Sequence, residues 1–181
     1  MYSYRLRTLF ILLALLYALA PAIGQPSPRY TIYDSLSQLQ ARMAQAGDNT
    51  TLIINFWATW CKPCVEELVW FEKLNEQYGG EKKVQVLLVS LDFKSQLKKR
   101  FEPFLLEKQL KSEVILFADQ DANNWIPVIH EQWDGAIPAT LVVRGKARLF
   151  HLGKFARYED LENFVQPFLG AVKAASSIIK K

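Results

Sequence analysis

Two cysteines stand two residues apart in the stretch Asn55–Glu67 (NFWATWCKPCVEE), and they are the only cysteines in the chain. An apolar, strand-like run passes into a helical pattern at this point, so we expect Cys61 and Cys64 at the amino end of a helix. Unpaired backbone N–H groups and the helix dipole stabilise an anion there, which makes Cys61 the more acidic thiol. Because a thiolate is the nucleophile in disulfide exchange, we expect Cys61 to attack and Cys64 to resolve the mixed disulfide.

A structural disulfide and a metal site are the other interpretations of this pair. A structural bridge stabilises a fold mainly by closing a long loop, and a two-residue loop gives little of that effect. Zinc would need two further ligands, whereas His130 and His151 lie far along the chain without ligand spacing. A Cu(I) site on the two thiolates is a further alternative, although no third ligand is nearby in the sequence. We therefore favour redox exchange through a Cys61–Cys64 disulfide, with no metal and no other cofactor.

Three residues around the cysteines carry further expectations. Glu67 follows Cys64 by one helical turn, so its carboxylate projects towards the inner thiol and could take or give its proton. The alternative is an acid that the helix dipole favours near a helix start. Pro63 suits the first helical turn, where its missing N–H costs nothing. Asn55 is polar in an otherwise apolar strand, which predicts a hydrogen-bonded polar spot behind the cysteine turn.

The rest of the chain alternates apolar runs of strand length with amphipathic helical stretches, which predicts an α/β fold. We expect helices over 35–46, 62–78, 121–133 and from 158, and strands over 52–57, 84–91, 114–118, 139–143 and 147–152. The last two strands should form an antiparallel hairpin. A helical stretch over 92–110 contains Pro103 and should kink or break there.

The first residues have the pattern of a secretory signal. Arg5 and Arg7 precede an uncharged apolar run, Leu9–Ala20, which small residues follow. We expect cleavage after Gly24 and a mature protein that begins at Gln25; an uncleaved membrane anchor is the alternative. Either outcome predicts an exported protein in the periplasm or cell envelope.

We therefore divide the chain into a signal (1–24), an extension with the first helix (25–50), one domain (51–170) and a C-terminal tail (171–181). The length suffices for a single domain with its own core. The net charge of the whole chain is +4, and part of it lies in the leader. A balance so close to neutral argues against a nucleic-acid partner, and the sequence makes no prediction of oligomeric state.

The motif NFWATWCKPC with Glu67, the stretch AIPATLVV, and Gly153 before the last helix resemble the thioredoxin superfamily, in particular its exported TlpA/ResA-like branch. The resemblance covers most of residues 52–169. It implies a thioredoxin-like fold, with a central mixed sheet flanked by helices and an extra strand and helix between Val114 and Trp133.

The resemblance also implies roles for individual residues. Pro138 would be the cis-proline beside the cysteines, and the Ile137 backbone would pair with an extended substrate segment. This branch places a glutamate at the position of Glu67, which favours a role in proton transfer. We expect Trp60 on the wall of a substrate groove and Trp57 in the core. The residues expected to contact substrate are Trp60, Pro63, Ile137 and Pro138.

The function that these features favour is a thiol-disulfide oxidoreductase that works as a reductase. It would draw electrons from a membrane thiol donor and pass them to disulfides of exported proteins, with apocytochrome c the client class that the resemblance implies. The alternative on the same fold is an oxidase or isomerase, because proteins of this type range in reduction potential from about −270 to −120 mV. The pair Lys62–Pro63 between the cysteines is closer to the reducing pattern.

Overall fold

A computed structural model describes residues 29–79 and 83–178, with side chains described as far as Leu169. The expected signal, 1–24, lies outside these residues. The strands are β1 (Thr31–Tyr33), β2 (Thr51–Trp57), β3 (Val84–Ser90), β4 (Glu113–Phe117), β5 (Ala139–Arg144) and β6 (Ala147–Leu152). The helices are α1 (Leu36–Gln45), α2 (Lys62–Tyr78), α3 (Glu102–Lys108), α4 (Ala122–Ile129) and α5 (Tyr158–Ile178).

These strands form one mixed sheet in the order β1-β4-β3-β2-β5-β6. The first four strands of that order are parallel, whereas β5 runs antiparallel to both β2 and β6. Every residue of β2 is buried, as expected for a central strand covered on both faces. The fold is the thioredoxin-like α/β fold that the sequence predicted. Strand β4, which the resemblance implied as an extra strand, lies inside the sheet between β1 and β3.

Helices cover both faces of the sheet. The inward faces of α2 and α5 pack on one side together with Phe101 and Leu105, and α1 and α4 pack on the other. Along β2 the side chains alternate between the two layers. Ile53 and Trp57 point towards α2, and Ile54 and Phe56 point towards α1 and α4. Asn55 therefore faces the α2 side, the side that also carries the cysteines.

The stretch after β3 breaks near Pro103, as predicted. A 3₁₀ turn (Lys94–Gln96) and a π-helical turn (Leu97–Phe101) precede α3. Pro103 lies in the first turn of α3, where the missing N–H removes no helical hydrogen bond. The irregular turns therefore come before the proline.

Three elements differ from the sequence predictions. The sequence analysis did not predict β1, a three-residue strand too short to show an alternating pattern. The predicted helix over 121–133 ends at Ile129 in the structure and keeps Pro127 inside it. Helix α5 continues to Ile178, whereas the sequence predicted a tail from residue 171. Within the described residues, 29–79 and 83–178, no helix has the length and apolar character to cross a membrane.

Candidate active site

Cys61 occupies the position that caps the start of α2. Its backbone is extended, with φ −89° and ψ 94°, and its Sγ accepts a hydrogen bond from the backbone N–H of Cys64 at 3.3 Å. Pro63 follows in the first helical turn. The two sulfurs are joined in a disulfide. Cys61 is 7% exposed and Cys64 is fully buried, so the outer sulfur is the one that a second molecule can approach.

The loop before β5 lies against the outer sulfur. The peptide bond Ile137–Pro138 is cis, and Cys61 Sγ lies 3.8 Å from the carbonyl oxygen of Ile137. In the disulfide state this sulfur carries no hydrogen, so the approach is a contact that a thiol could turn into a hydrogen bond. Pro63 is exposed and Trp60 is 50% exposed, which places both on the rim of this surface.

Glu67 is fully buried one helical turn after Cys64. Its Oε1 accepts a hydrogen bond from the Asn55 side-chain amide at 3.1 Å, and its Oε2 accepts one from the backbone N–H of Phe155 at 3.0 Å. Burial raises the pKa of Glu67 from 4.5 to about 7, although these two hydrogen bonds and the charge of Lys154 act in the opposite direction. A carboxyl group with this pKa can both accept and release a proton near neutral pH.

The structure therefore places the buried amide of Asn55 against Glu67. The same amide nitrogen lies 3.3 Å from the hydroxyl oxygen of Thr140, the residue opposite Asn55 in the register of β2 and β5. Sequence reasoning missed both Thr140 and Phe155. A signal for Thr140 existed, because it is a polar residue in an apolar strand two positions after Pro138. Phe155 contributes only its backbone N–H, which no residue pattern marks.

Asp92 is a further residue that the sequence analysis missed. It is buried just after β3, and its carboxylate accepts hydrogen bonds from the backbone N–H and the hydroxyl of Thr59, two residues before Cys61. The hydroxyl of Ser90 also donates to this carboxylate, at 2.7 Å. Polar residues at the end of an apolar strand were the available signal. Asp92 ties the loop that carries Cys61 to the neighbouring strand.

The tryptophans and histidines occupy the following places. Trp57 is fully buried on the α2 side. The ring of His130 stacks on Phe150 and that of His151 on Phe155, each with ring centres 4.2 Å apart. Among the residues that the structure describes, no cluster of three or more histidine, cysteine or acidic side chains could hold a metal ion.

The fold and the capped Cys-x-x-Cys disulfide define a protein of the thioredoxin-like class. The sequence matches the AhpC/TSA family over residues 23–151, so the chain belongs to that family.

Individual relatives agree with this assignment. The chain is 32% identical over 72 residues to "Thiol-disulfide oxidoreductase ResA" of Oceanobacillus iheyensis, covering 39% of this chain and 37% of the relative. It is 35% identical over 72 residues to "Thioredoxin-like protein YneN" of Bacillus subtilis, covering 40% and 39%. Each alignment thus spans well under half of the relative's length.

A solved structure is similar over more of the chain. The thioredoxin-related protein of Neisseria meningitidis serogroup B superposes with a TM-score of 0.56, covering 70% of this chain and 90% of that one. The sequence identity is 21%, so this likeness concerns the fold.

Proposed function

We propose that this protein is an exported thiol-disulfide oxidoreductase that reduces disulfides in other exported proteins. The observation that supports this function best is the double role of Cys61, which caps α2 and is the more exposed member of a disulfide. The N–H of Cys64 that donates to Cys61 Sγ would stabilise a thiolate on the same atom. The relatives named as thiol-disulfide oxidoreductases support the same activity.

The first step is attack on the client. The reduced Cys61 thiolate attacks one sulfur of a client disulfide, forms a Cys61–client disulfide and releases the other client sulfur as a thiolate. The backbone of Ile137 lies beside Cys61 Sγ and would pair with an extended client segment around the reacting sulfur.

The second step releases the client. The Cys64 thiol gives its proton to the Glu67 carboxylate, and the resulting thiolate attacks the Cys61 sulfur. The Cys61–Cys64 disulfide forms, and the second client sulfur leaves as a thiolate that takes a proton. Two electrons have then passed to the client. In the oxidised state described here Cys64 carries no proton, and both Glu67 oxygens are occupied by Asn55 and Phe155.

A membrane thiol donor would return the pair to the dithiol in a periplasmic or cell-envelope location. The client class that the ResA resemblance favours is apocytochrome c, whose Cys-x-x-Cys-His haem-attachment motif carries two thiols that can oxidise to a disulfide. A reductase acting there would keep these thiols free.

The test is to trap the mixed disulfide. A Cys64→Ala variant keeps the attacking sulfur and lacks the resolving one, so it should accumulate adducts with disulfide-containing polypeptides that dithiothreitol releases. The matched Cys61→Ala variant should accumulate far fewer, because Cys64 is buried. Equal yields from the two variants, or none from Cys64→Ala, would refute the attack by Cys61.

The direction of electron flow has its own test. Equilibrating the protein with glutathione redox buffers gives the reduction potential of the Cys61–Cys64 pair. A reductase should lie near the thioredoxin value of about −270 mV. A potential near −120 mV would instead assign the protein as an oxidase.

A further inference from the structure

A row of polar side chains crosses three strands next to Glu67. Asn55 of β2 is opposite Thr140 of β5, and Thr140 is opposite His151 of β6. Residues directly opposite in neighbouring strands point to the same face of a sheet. Asn55, Thr140 and Glu67 are all fully buried, so their polar atoms depend on hydrogen-bond partners inside the protein.

Of the two polar atoms in the Asn55 side-chain amide, the nitrogen makes the hydrogen bonds. Its nitrogen lies within hydrogen-bonding distance of Glu67 Oε1 (3.1 Å) and Thr140 Oγ1 (3.3 Å). Its Oδ1 is buried and has no hydrogen-bond partner among the described residues. This orientation suits an ionised Glu67, which can only accept. It does not suit a protonated Glu67, whose O–H must donate.

We propose that the Asn55 side-chain amide rotates when Glu67 takes up a proton, so that its oxygen and nitrogen exchange places. With Glu67 ionised, the two amide N–H groups donate to Glu67 and to Thr140. With Glu67 protonated, Oδ1 takes the place of the nitrogen and accepts from the Glu67 O–H and the Thr140 hydroxyl. The number of hydrogen bonds among the three side chains is the same in both arrangements, because an amide and a hydroxyl can each change between donor and acceptor.

Two further groups act on Glu67, and neither can change between donor and acceptor. The backbone N–H of Phe155 donates to Oε2 whatever the charge of Glu67. Lys154, in the loop before α5, acts on Glu67 through its positive charge. His151 of β6 stacks on Phe155, and Cys61 and Cys64 belong to the same buried cluster as Phe155. The Phe155 N–H and the charge of Lys154 both lower the pKa of Glu67. Asn55 is thus a positioning residue that lets Glu67 change charge inside a buried site.

This inference deepens the proposed function and rests on its assignment of proton transfer to Glu67, yet its test needs no client. The whole protein, labelled with ¹³C and ¹⁵N and kept in the disulfide state, is titrated by NMR between pH 5 and pH 9. We expect the Asn55 side-chain ¹⁵N shift, and the NOE from its amide protons to Thr140, to change with the same midpoint as the Glu67 carboxyl carbon. In a Glu67→Gln variant both Asn55 signals should stay constant.

Two results would overturn the proposal. One is an Asn55–Thr140 NOE that stays constant while the Glu67 carboxyl titrates. The other is a change in the Asn55 signals that persists in Glu67→Gln, since another group would then drive it. If the amide turns but Cys64→Ala traps no client, the proposed function fails and this inference stands. If Cys64→Ala traps a client but the Asn55 amide does not turn, the proposed function stands and this inference fails.

A matched pair of substitutions at Thr140 provides a second measurement. Thr140→Val keeps the shape and removes the hydroxyl, which leaves one Asn55 N–H unpaired when Glu67 is ionised. In the protonated arrangement Oδ1 loses the same hydroxyl but still accepts from the Glu67 O–H, so the ionised state loses more, and the pKa of Glu67 should rise by about half a unit or more. Thr140→Ser keeps the hydroxyl and should leave this pKa near the wild-type value. Equal pKa values in the two variants would show that the hydroxyl takes no part.

Discussion

The carboxylate of Asp92 accepts two hydrogen bonds from Thr59, one from the backbone N–H at 2.8 Å and one from the hydroxyl at 2.6 Å. Thr59 precedes Trp60 and Cys61, so the loop that presents the outer sulfur is tied to the end of β3. The hydroxyl of Ser90 donates to the same carboxylate. The position of Cys61 therefore depends on a neighbouring strand as well as on its own helix.

Replacing Asp92 with asparagine should destabilise the protein by about 1–3 kcal/mol. Hydrogen bonds to the buried carboxylate are lost, and the N–H₂ group of the new asparagine would face the donors of Thr59 and Ser90. Urea unfolding of the oxidised protein measures this loss. The control is Asp134→Asn, since Asp134 is exposed and also accepts a backbone N–H, that of Ala136, at 2.9 Å. A loss at Asp92 no larger than that at Asp134 would contradict the anchoring role.

The raised pKa of Glu67 makes the stability of the protein depend on pH. Folding moves this pKa from 4.5 to about 7, so between these values the folded protein holds a proton that the unfolded chain has released. Glu67 therefore contributes its full stabilisation below pH 4.5. This contribution to the free energy of unfolding should fall, by roughly 3 kcal/mol in total, as the pH rises through 7. A Glu67→Gln variant should lack this fall.

The measurement is denaturant unfolding at several pH values from 4.5 to 8. Glu76→Gln is the matched control, because Glu76 lies on the same helix and is exposed. It should retain the pH dependence of the wild type. If Glu67→Gln and Glu76→Gln show the same pH profile, Glu67 does not titrate in this range.

The parts of the molecule that sequence reasoning predicted are those with strong local patterns. β2 is a continuous apolar run that ends in the cysteine motif, and α2 carries a regular apolar stripe up to Tyr78. The Ile137–Pro138 cis peptide came from the resemblance, since nothing in the residues themselves distinguishes cis from trans.

The missed parts depend on pairings between distant segments. Asn55 was recognised as a buried amide in need of partners, but its partner Thr140 is set by the register of two strands far apart in sequence. The N–H of Phe155 that holds Glu67 belongs to the backbone, so any residue type could supply it. β1 is three residues long and gains its place by pairing with β4.

Trp60 should contribute more to client recognition than to folding. It is 50% exposed beside Cys61, so Trp60→Ala should change the free energy of unfolding by less than about 1 kcal/mol. It should slow reduction of a polypeptide disulfide such as insulin by about tenfold, the equivalent of 1.4 kcal/mol. Reduction of the small disulfide DTNB should change by less than about twofold, since it offers little surface to an aromatic ring.

Val69→Ala is the control for Trp60, because Val69 is an exposed apolar residue further along α2, at 62%. Both rates should remain at the wild-type value in this variant. An equal slowing of insulin and DTNB reduction by Trp60→Ala would point to a change at Cys61 itself and remove Trp60 from the client surface.

The backbone of Gly153 links the loop that contains Pro138 to the segment that binds Glu67. Its N–H donates to the carbonyl oxygen of Pro138 at 2.9 Å, and two residues later the N–H of Phe155 donates to Glu67. Its φ of +103° lies well outside the left-handed helical region near +57°, and an added Cβ would meet no atom within 4 Å. The cost of Gly153→Ala is therefore backbone strain, about 1–3 kcal/mol.

The matched variant is Gly47→Ala, whose φ of +71° is closer to the left-handed helical value and whose Cβ would also meet open space. It should lose less stability than Gly153→Ala in urea unfolding, about 1–2 kcal/mol. Strain at Gly153 also displaces the Phe155 N–H, a group that lowers the pKa of Glu67, so this pKa should rise in Gly153→Ala alone. Carboxyl ¹³C titration measures the rise. Equal stability losses and an unchanged pKa of Glu67 would show that Gly153 does not couple the proline loop to the buried carboxylate.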